Sequence, residues 1–222
     1  MIKKWFLTGT DTNVGKTIVS GIILKKASNI GFNTAGYKPI ASGCIKQMKH
    51  FKNYDAVYLK KNSTVQLTYE KINPFFVNNN FPPNFFFDND QKISLKKISH
   101  HLQYIEKLSN WIIIEGVGGW YTPIYKKIKL SDWVKKENLP VIIVVAIKLG
   151  CINHAILTYK AIIQCGLKCS GWYANFMKNT KNSLKYINTI KRYMNIPFLG
   201  IIPHIHNIHN FSVENINIIL PK

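Results

Sequence analysis

The stretch WFLTGTDTNVGKTI, residues 5–18, decides the fold of this chain. It begins with an apolar run that predicts a strand, continues through a glycine-containing loop, and opens a segment whose apolar residues recur at helical spacing. Strand, loop and helix in this order form a phosphate-binding loop, in which backbone N–H groups and the N-terminus of the helix surround an anion. In such a loop we expect Lys16 to reach the β- and γ-phosphates of a nucleotide and the Thr17 hydroxyl to coordinate Mg²⁺.

The match to the phosphate-loop pattern is displaced at one position. The strict pattern G-x-x-x-x-G-K-[ST] places glycine where this chain has Thr10. The alternative is an ordinary loop that contains Gly-Lys-Thr by chance. The strand before the loop and the helix after it favour nucleotide binding.

Length and composition indicate one domain. A chain of 222 residues, 46% of them hydrophobic, is long enough to bury a sizeable core, and we expect a single domain over residues 1–222. No run approaches the roughly 20 apolar residues that cross a bilayer. The first strand begins too near residue 1 to leave room for a signal peptide, so we expect a cytoplasmic protein. The cysteines form no C-x-x-C pair and are predicted to be free thiols; they are Cys44, Cys151, Cys165 and Cys169.

The formal net charge of +20 would ordinarily suggest a nucleic-acid partner. The basic residues, however, are scattered along the chain, and all of them except Arg192 are lysines. Arginine is the preferred residue for bidentate contacts with phosphates and bases, so its near absence argues against nucleic-acid binding. The charge is better explained as a lysine-rich solvated surface of the kind that an A+T-rich genome encodes. Such a surface would attract anionic substrates.

Short apolar segments alternate with helical ones along the chain. The predicted strands cover residues 2–7, 34–38, 111–115, 141–147, 171–175 and 197–202. The predicted helices cover residues 16–30, 95–108, 131–137, 153–165 and 182–194. Strands that are apolar nearly throughout are typical of a parallel sheet covered by helices on both faces. The alternation therefore predicts an α/β fold with a doubly wound, mostly parallel sheet of the phosphate-loop NTPase type.

Residues 73–91, NPFFVNNNFPPNFFFDNDQ, depart from this alternation. Pro82 and Pro83 exclude a helix, and Pro74 argues against a central strand. The six phenylalanines of this segment need burial, which argues against a disordered linker. We expect a long ordered loop or an excursion of the chain at the edge of the sheet.

Candidate metal ligands are few because the chain has only ten acidic residues. Glu115 follows four apolar residues of a predicted strand, which places it at the carboxyl end of the sheet, where α/β proteins bind ligands. It is a candidate Mg²⁺ ligand, and a helix-capping role is the alternative. Asp55 stands where a helix is expected to begin, as either a metal ligand or an N-cap. Asp11, within the phosphate loop, either contacts the ligand or stabilises the turn.

Polar residues also follow other predicted strands at this edge. Lys38 could neutralise charge on a transferred phosphoryl group, although a lysine in so basic a chain is otherwise a surface residue. Ser42 lies four residues further along. The segment 149–154, LGCINH, precedes a helix and offers backbone N–H groups to a carboxylate; the alternative is an ordinary helix start capped by Asn153. The histidines of segment 204–209 lack neighbouring cysteines or carboxylates, which argues against a metal site.

Taken together, these motifs resemble the dethiobiotin synthetase family. They run in family order from residue 5 to about residue 203, and several of them are not general nucleotide-binding signals. The matching motifs are GTDT at 9–12 with VGKT at 14–17, AGYKP at 35–39 with ASG at 41–43, EG at 115–116 with GGW at 118–120, KLGCINH at 148–154, and GW at 171–172 with AN at 174–175.

The resemblance implies an ATP- and Mg²⁺-dependent cyclo-ligase that forms the ureido ring of dethiobiotin from 7,8-diaminononanoate and CO₂. In the family one amine is carbamylated by CO₂, the carbamate oxygen attacks the γ-phosphate, and the second amine closes the ring with release of phosphate. Positioning and charge neutralisation carry most of the catalysis in such a phosphoryl transfer. The resemblance also implies a homodimer with its active site at the subunit interface. Its expected partners are small-molecule substrates, without nucleic acid or membrane.

The resemblance assigns roles to individual residues. Lys16 and Lys38 would be catalytic, and Thr17, Asp55 and Glu115 would hold Mg²⁺. The residues implied to contact ATP are Asn13, Val14, Gly15, Lys16, Thr17, Ile18, Asp55, Glu115, Gly116, Val117, Gly118, Asn175 (at the adenine edge), Phe176, Pro203, His204 and Ile205. The residues implied to contact the diamine are Thr12, Ser42 and Gly118, together with Gly150, Cys151, Ile152 and Asn153 of the second subunit and Tyr186 as a helper.

Two residues depart from the family pattern. Asn13 replaces a Glu or Gly that members often carry, which keeps the turn but removes a charge, and Asn210 stands where an acidic residue would contact the ribose. The loop 81–87 also differs from the family.

Two other functions remain as alternatives. Partition and septum-placement ATPases belong to the same fold group, but they carry an additional lysine early in the phosphate loop, where this chain has Asp11. A non-catalytic basic nucleic-acid-binding protein is the other alternative, and the scattered lysines argue against it.

Overall fold

The computed structural model describes residues 2–47, 50–77, 83, 93–178, 182–205 and 212–222. Its strands are β1 (Lys3–Gly9), β2 (Thr34–Tyr37), β3 (Ile40–Ala41), β4 (Ile45–Gln47), β5 (His50–Lys52), β6 (Phe75–Phe76), β7 (Trp111–Gly119), β8 (Pro123–Tyr125), β9 (Ile128–Lys129), β10 (Val141–Ala146), β11 (Cys169–Asn175) and β12 (Phe198–Ile202). Its helices are α1 (Lys16–Asn29), α2 (Tyr54–Lys61), α3 (Tyr69–Ile72), α4 (Leu95–Glu106), α5 (Leu130–Lys136), α6 (Cys151–Gln164) and α7 (Ser183–Tyr193). A 3₁₀ turn covers Val213–Asn215.

A parallel sheet forms the centre of the described chain. Its six strands lie in the order β12-β11-β10-β1-β7-β2, and every neighbouring pair runs parallel. The chain leaves β1 toward β2 on one side of the sheet and crosses from β7 to β10 on the other. Ligands of open α/β sheets bind at such a change of direction, beyond the carboxyl ends of the strands. The phosphate loop leaves the sheet at this place.

Alternate residues of the central strands enter two apolar clusters. Phe6 of β1 and Ile114 of β7 belong to one cluster, whereas Leu7 of β1 and Ile113 of β7 belong to the other. Because successive side chains of a strand point to opposite faces, the two clusters mark the two covered faces of the sheet. This arrangement explains why the strands are apolar throughout rather than alternating, and it confirms the predicted doubly wound α/β fold.

The predicted elements are present, with shifted ends. β7 continues to Gly119, so Glu115 lies within a strand, and its alternative role as a helix cap is wrong. α6 begins at Cys151 after Gly150, which adopts a left-handed φ of 87°, so Asn153 does not cap this helix. α2 begins at Tyr54 after Asn53, whose side chain accepts the hydrogen bond of the N-cap. Asp55 therefore lies in the first turn and is not the cap.

The described part of the Phe-rich segment forms an excursion at the edge of the fold. β6 pairs in parallel with β3, through Ile40 with Phe75 and Ala41 with Phe76, outside the central sheet. This pairing agrees with the expected edge excursion for residues 73–77. Residues 78–82 and 84–92 lie outside the described part of the chain, and so does most of the predicted loop 81–87. Within the described ranges, no helix has the length and hydropathy needed to cross a bilayer.

The four cysteines are free, as predicted, and differ in burial. Burial raises the pKa of Cys169 to about 12, and burial followed by the charge of Asp55 raises the pKa of Cys44 to about 11. Cys165 is half-buried.

We expect a thiol-alkylating reagent at pH 8 to modify Cys165 first in the native protein. A thiol reacts as its thiolate and must be accessible to the reagent. Cys169 and Cys44 should therefore react at least about tenfold more slowly than Cys165. In denaturant all four should react at similar rates. Peptide mass spectrometry of timed samples measures these rates, and equal native rates for Cys165 and Cys169 would contradict the covered position of β11.

Candidate functional site

The candidate site lies where the carboxyl ends of β1, β2 and β7 meet the N-terminus of α1. A cavity of about 590 Å³ opens there. The predicted residues that line it are Thr12, Asn13, Gly15, Lys16, Thr17, Ile18, Lys38, Ser42, Asp55, Glu115, Val117 and Gly118. A second cavity of about 350 Å³ lies between α1, α2 and the segment 212–214, and none of the predicted site residues lines it.

The phosphate loop depends on two residues with left-handed backbone conformations. Asn13 has a φ of 56° and Gly15 a φ of 88°. Asparagine is among the few residues other than glycine that tolerate this region, so Asn13 suits the turn. The Lys16 ammonium donates to the Asp11 carbonyl at 2.9 Å and thereby closes the loop. Burial, followed by repulsion from Lys38, lowers the pKa of Lys16 to about 8.

The Asn175 side chain holds the phosphate loop against the end of β11. Its amide nitrogen donates to the Val14 carbonyl at 2.8 Å and to the Met177 sulfur at 3.1 Å. A Cβ atom on Gly15 would collide with this nitrogen. Gly15 is therefore required both by its φ and by the close approach of the Asn175 amide.

A cluster of buried charges forms the floor of the cavity. The Lys38 ammonium contacts Glu115 Oε1 at 2.7 Å, Asp55 Oδ2 at 3.0 Å and the Gly116 carbonyl at 2.9 Å. The Thr17 hydroxyl donates to the same Glu115 oxygen at 2.9 Å. Lys38 is thus no surface lysine; only 2% of the residue is exposed, and Glu115 is fully buried.

The charges of this cluster shift one another's pKa values. Burial alone would lower the pKa of Lys38, but Glu115 and Asp55 together raise it above its ordinary value. Burial would raise the pKa of Asp55, but Lys38 and its hydrogen bond lower it. Burial raises the pKa of Glu115 and the Lys38 ammonium opposes that shift. We conclude that Lys38 and Asp55 are charged at neutral pH.

The donor set of this cluster fits Mg²⁺. Two carboxylates and a hydroxyl are the hard oxygen ligands that this cation prefers. The Oε2 atom of Glu115 is buried and accepts no hydrogen bond from the described residues, so one carboxylate oxygen remains available to a cation. Among those residues no three His, Cys, Asp or Glu side chains gather as a metal cluster. A Mg²⁺ ion bound by one or two carboxylates usually keeps several water ligands and takes oxygens from a substrate phosphate, so the small donor set is no obstacle.

The remaining predicted residues lie outside the lining of the cavity. Val14 and Gly116 are among them, although their carbonyls accept from Asn175 and Lys38, respectively. Asn175 is the last residue of β11 and Phe176 follows it, and Pro203, His204 and Ile205 follow β12, at the same edge of the sheet. The segment of Gly150, Cys151, Ile152 and Asn153 lies at the start of α6, and Tyr186 lies on α7. Within one chain neither of these two groups lines the cavity. His206, His209 and Asn210 lie outside the described residues.

The cavity is also lined by four residues that were not among the predicted site residues. These are Gly43, Asn53, Tyr54 and Met177. The Asn53 side chain donates to the Ser42 carbonyl at 2.8 Å and also caps α2. An asparagine directly before a predicted helix could have been predicted as its N-cap from the sequence. Met177 reaches the cavity because the chain turns beyond β11, which no local pattern of the sequence indicates.

Comparison with known proteins identifies close relatives. The AAA_26 family model, described as an AAA domain, matches residues 3–212. The chain is 52% identical to the ATP-dependent dethiobiotin synthetase BioD of Buchnera aphidicola (subspecies Acyrthosiphon pisum, strain 5A), over all of both chains. It is 43% identical to the protein of the same name from Yersinia pestis bv. Antiqua (strain Angola), over 96% of this chain and 90% of that one.

Solved structures confirm the fold class. The MinD cell division protein of Aquifex aeolicus superposes with a TM-score of 0.56 at 15% identity, over 92% of this chain and 83% of that one. A ParA family ATPase from Chlorobium tepidum gives a TM-score of 0.56 at 10% identity, over 93% and 86%. At these identities the likeness concerns the fold alone.

We expect Gly15→Ala to abolish most nucleotide binding. The new Cβ meets the Asn175 amide and also strains the left-handed backbone, which costs about 1–2 kcal/mol for the backbone alone. Gly150→Ala is the matched control, because Gly150 has nearly the same φ of 87° and no atom within 4 Å of a new Cβ. Calorimetric ATP titration should show weakened binding only for Gly15→Ala, and equal affinities for the two variants would exclude the collision.

Proposed function

The chain belongs to the ATP-dependent dethiobiotin synthetase family, and from that premise we propose how its own residues perform the reaction. It is an ATP-dependent ligase of biotin biosynthesis. The proposed substrates are 7,8-diaminononanoate, CO₂ and ATP. The observation that carries the proposal is the meeting of Lys16, Lys38, Thr17, Asp55 and Glu115 around one cavity at the carboxyl edge of the sheet.

The proposed reaction forms the two C–N bonds of the ureido ring in turn. One amine of the diamine attacks CO₂ and loses a proton, which gives a carbamate. The carbamate oxygen then attacks the γ-phosphorus of ATP and ADP leaves, which gives a carbamic-phosphoric anhydride. The second amine attacks the carbonyl carbon of this anhydride, and inorganic phosphate leaves as the ring closes. The residues of the cavity position these groups and neutralise their charge.

Lys16 and Lys38 are the proposed catalytic residues. Lys16 lies in the phosphate loop beside the N-terminus of α1, where phosphates are stabilised by backbone N–H groups and by the helix dipole. Its ammonium would contact the β- and γ-phosphates, and that of Lys38 the carbamate and the transferred phosphoryl group. Both lysines are buried, and a charge that is shielded from water stabilises a transition state more strongly than one in water.

Thr17, Asp55 and Glu115 are the proposed ligands of Mg²⁺. The cation would supply charge neutralisation to the phosphates of ATP when bound. Asn13, Val14, Gly15, Lys16, Thr17 and Ile18 would surround the phosphates, and Glu115, Gly116, Val117 and Gly118 would border them.

Asn175 is the proposed adenine contact. Its carbonyl oxygen and the amide hydrogen now directed at Met177 are the groups that an adenine edge would engage. Phe176, Pro203, His204 and Ile205 would flank the base.

A homodimer would complete the substrate site. Thr12, Ser42 and Gly118 of one chain would contact the diamine, and the residues 150–153 of the second chain, with Tyr186, would hold its carboxylate. Exposed apolar residues on and beside α6 and α7 support such an interface: Leu149 is 88% exposed, Leu157 58% and Leu184 63%. ATP and the diamine are intracellular metabolites, so a cytoplasmic location forms part of the proposal.

We expect purified protein with ATP, MgCl₂ and bicarbonate to release phosphate only when 7,8-diaminononanoate is added. Lys16→Gln should lower kcat/KM by at least about 100-fold, because it removes a charge from the transferred phosphates. Lys96→Gln, at an exposed position on α4, is the control and should keep the wild-type rate. Phosphate release that does not depend on the diamine would refute the proposed reaction.

A mixing experiment tests the shared site. Lys16→Gln and Asn153→Ala should each be inactive alone, since each disables one half of every site. Mixed and re-equilibrated in equal amounts, they should recover about a quarter of the wild-type rate, because half of the dimers are mixed and each of these has one intact site of two. Recovery is measured by diamine-dependent phosphate release. An inactive mixture that is dimeric by light scattering would place both residues in the site of one chain.

A further inference from the structure

The Lys38 ammonium has all three of its hydrogens engaged. An ammonium has three N–H donors and no acceptor. In Lys38 these meet three oxygens at 2.7, 3.0 and 2.9 Å, those of Glu115, Asp55 and the Gly116 carbonyl. None of its hydrogens is left for a carbamate or a phosphate. The role proposed above therefore requires Lys38 to give up at least one of these contacts.

The backbone of Lys38 is fixed, so any change must come from its side chain. Its N–H donates to the Ile72 carbonyl at 2.9 Å, and its carbonyl accepts from the Asn73 side chain at 2.8 Å. Asn73 is itself buried and also donates to the Phe75 carbonyl. Four rotatable bonds of the lysine side chain then provide the freedom that the main chain lacks.

Two of the three oxygens that hold Lys38 are those of the proposed metal ligands. A Mg²⁺ ion binds carboxylate oxygens at about 2.0–2.1 Å. An ammonium held at 2.7 Å from Glu115 and 3.0 Å from Asp55 would lie within a few ångströms of that ion, where like charges in a dry site repel strongly. The two cations compete for the same pair of carboxylates.

We propose that Lys38 is the resident cation of the metal site, and that arrival of Mg²⁺ with the nucleotide displaces its ammonium from Asp55 and Glu115 toward the reacting groups. This inference rests on the proposed function, since it assigns the metal to these carboxylates. The exchange links two events. The carboxylates receive the charge of the metal ion only when metal and nucleotide are present, and the same step frees the Lys38 ammonium for the carbamate.

The two carboxylates are placed for different parts in the exchange. The Glu115 side chain is fully buried and also accepts from Thr17, so it keeps its position. The Asp55 side chain is 33% exposed and lies at the start of α2, facing the cavity. The ammonium therefore leaves Asp55 first, because water can solvate that carboxylate as the contact opens.

The test measures metal binding to the nucleotide-free protein, without any turnover. Mn²⁺ is the metal used, because it prefers the same oxygen ligands and its free concentration is read by electron paramagnetic resonance. Lys38→Met should bind Mn²⁺ about 10- to 100-fold more tightly than wild type, since the competing charge is gone. Lys148→Met is the control: Lys148 is half-exposed, pairs with Asp11 at 3.8 Å, and makes no contact with the two carboxylates. Its affinity should stay within about twofold of wild type.

The double variant Lys38→Met with Glu115→Gln should lose the gain, which places the Mn²⁺ on Glu115. Equal Mn²⁺ affinities of wild type and Lys38→Met would overturn the exchange, and so would an equal gain in Lys148→Met, because a general charge effect would then explain it. Diamine-dependent phosphate release by the wild type, measured separately, shows whether the proposed reaction stands when the exchange fails.

A measurement on the wild type decides the matter if Lys38→Met does not fold. Buried ammonium groups exchange their hydrogens slowly enough to be seen by ¹⁵N NMR, and Lys38 should give such a signal. Addition of MgCl₂ with ADP should shift this signal and speed its hydrogen exchange. A signal that stays unchanged at saturating Mg²⁺ and ADP would overturn the proposal.

Discussion

The site depends on the ion pair between Lys38 and Glu115. A carboxylate that is fully buried is costly unless a positive charge and hydrogen bonds compensate it, and removal of one partner leaves the other charge uncompensated. Glu115 obtains its compensation from Lys38 and Thr17, which come from two other elements, the end of β2 and the start of α1. The parallel pairing of β2 with β7, and of β7 with β1, is what brings these three residues to one point. The order of the strands in the sheet therefore determines which charged and polar groups meet in the site.

The sequence predicted most of the architecture because its strands are buried on both faces. β10, for example, has six buried residues in succession. Such an uninterrupted apolar run is easily distinguished from the alternating apolar and polar residues of a half-exposed strand. The ends of elements were harder, because they depend on distant partners. β7 extends past Glu115 since its far end lies beside Gly9 of β1, and the short strands β3 and β6 exist only through each other. Neither pairing leaves a local signal.

The candidate site was predictable residue by residue but not in its geometry. Thr17, Lys38, Asp55 and Glu115 could each be named from motifs, yet as an isolated residue Lys38 suggested a surface lysine, and Asp55 fitted a helix cap as well as a metal ligand. Only the fold shows that one ammonium lies between both carboxylates and that Asn53 caps α2 instead. Asn13 was expected to keep the turn of the phosphate loop, and its φ of 56° is one that asparagine tolerates well.

Fold alone does not separate this chain from the partition and septum-placement ATPases, since members of both groups superpose on it at 10–15% identity. The sequence difference expected between them lies at Asp11, whose contacts the structure describes. Its carboxylate accepts from the Thr12 N–H at 2.7 Å and faces the Lys148 ammonium at 3.8 Å, while its carbonyl receives Lys16. A lysine at position 11 would bring a third positive charge beside Lys16 and Lys148 and would lose the hydrogen bond to Thr12. Asp11 thus leaves Lys16 as the one lysine of the loop at residues 9–17, and the second buried ammonium of the cavity comes from Lys38, directly after β2.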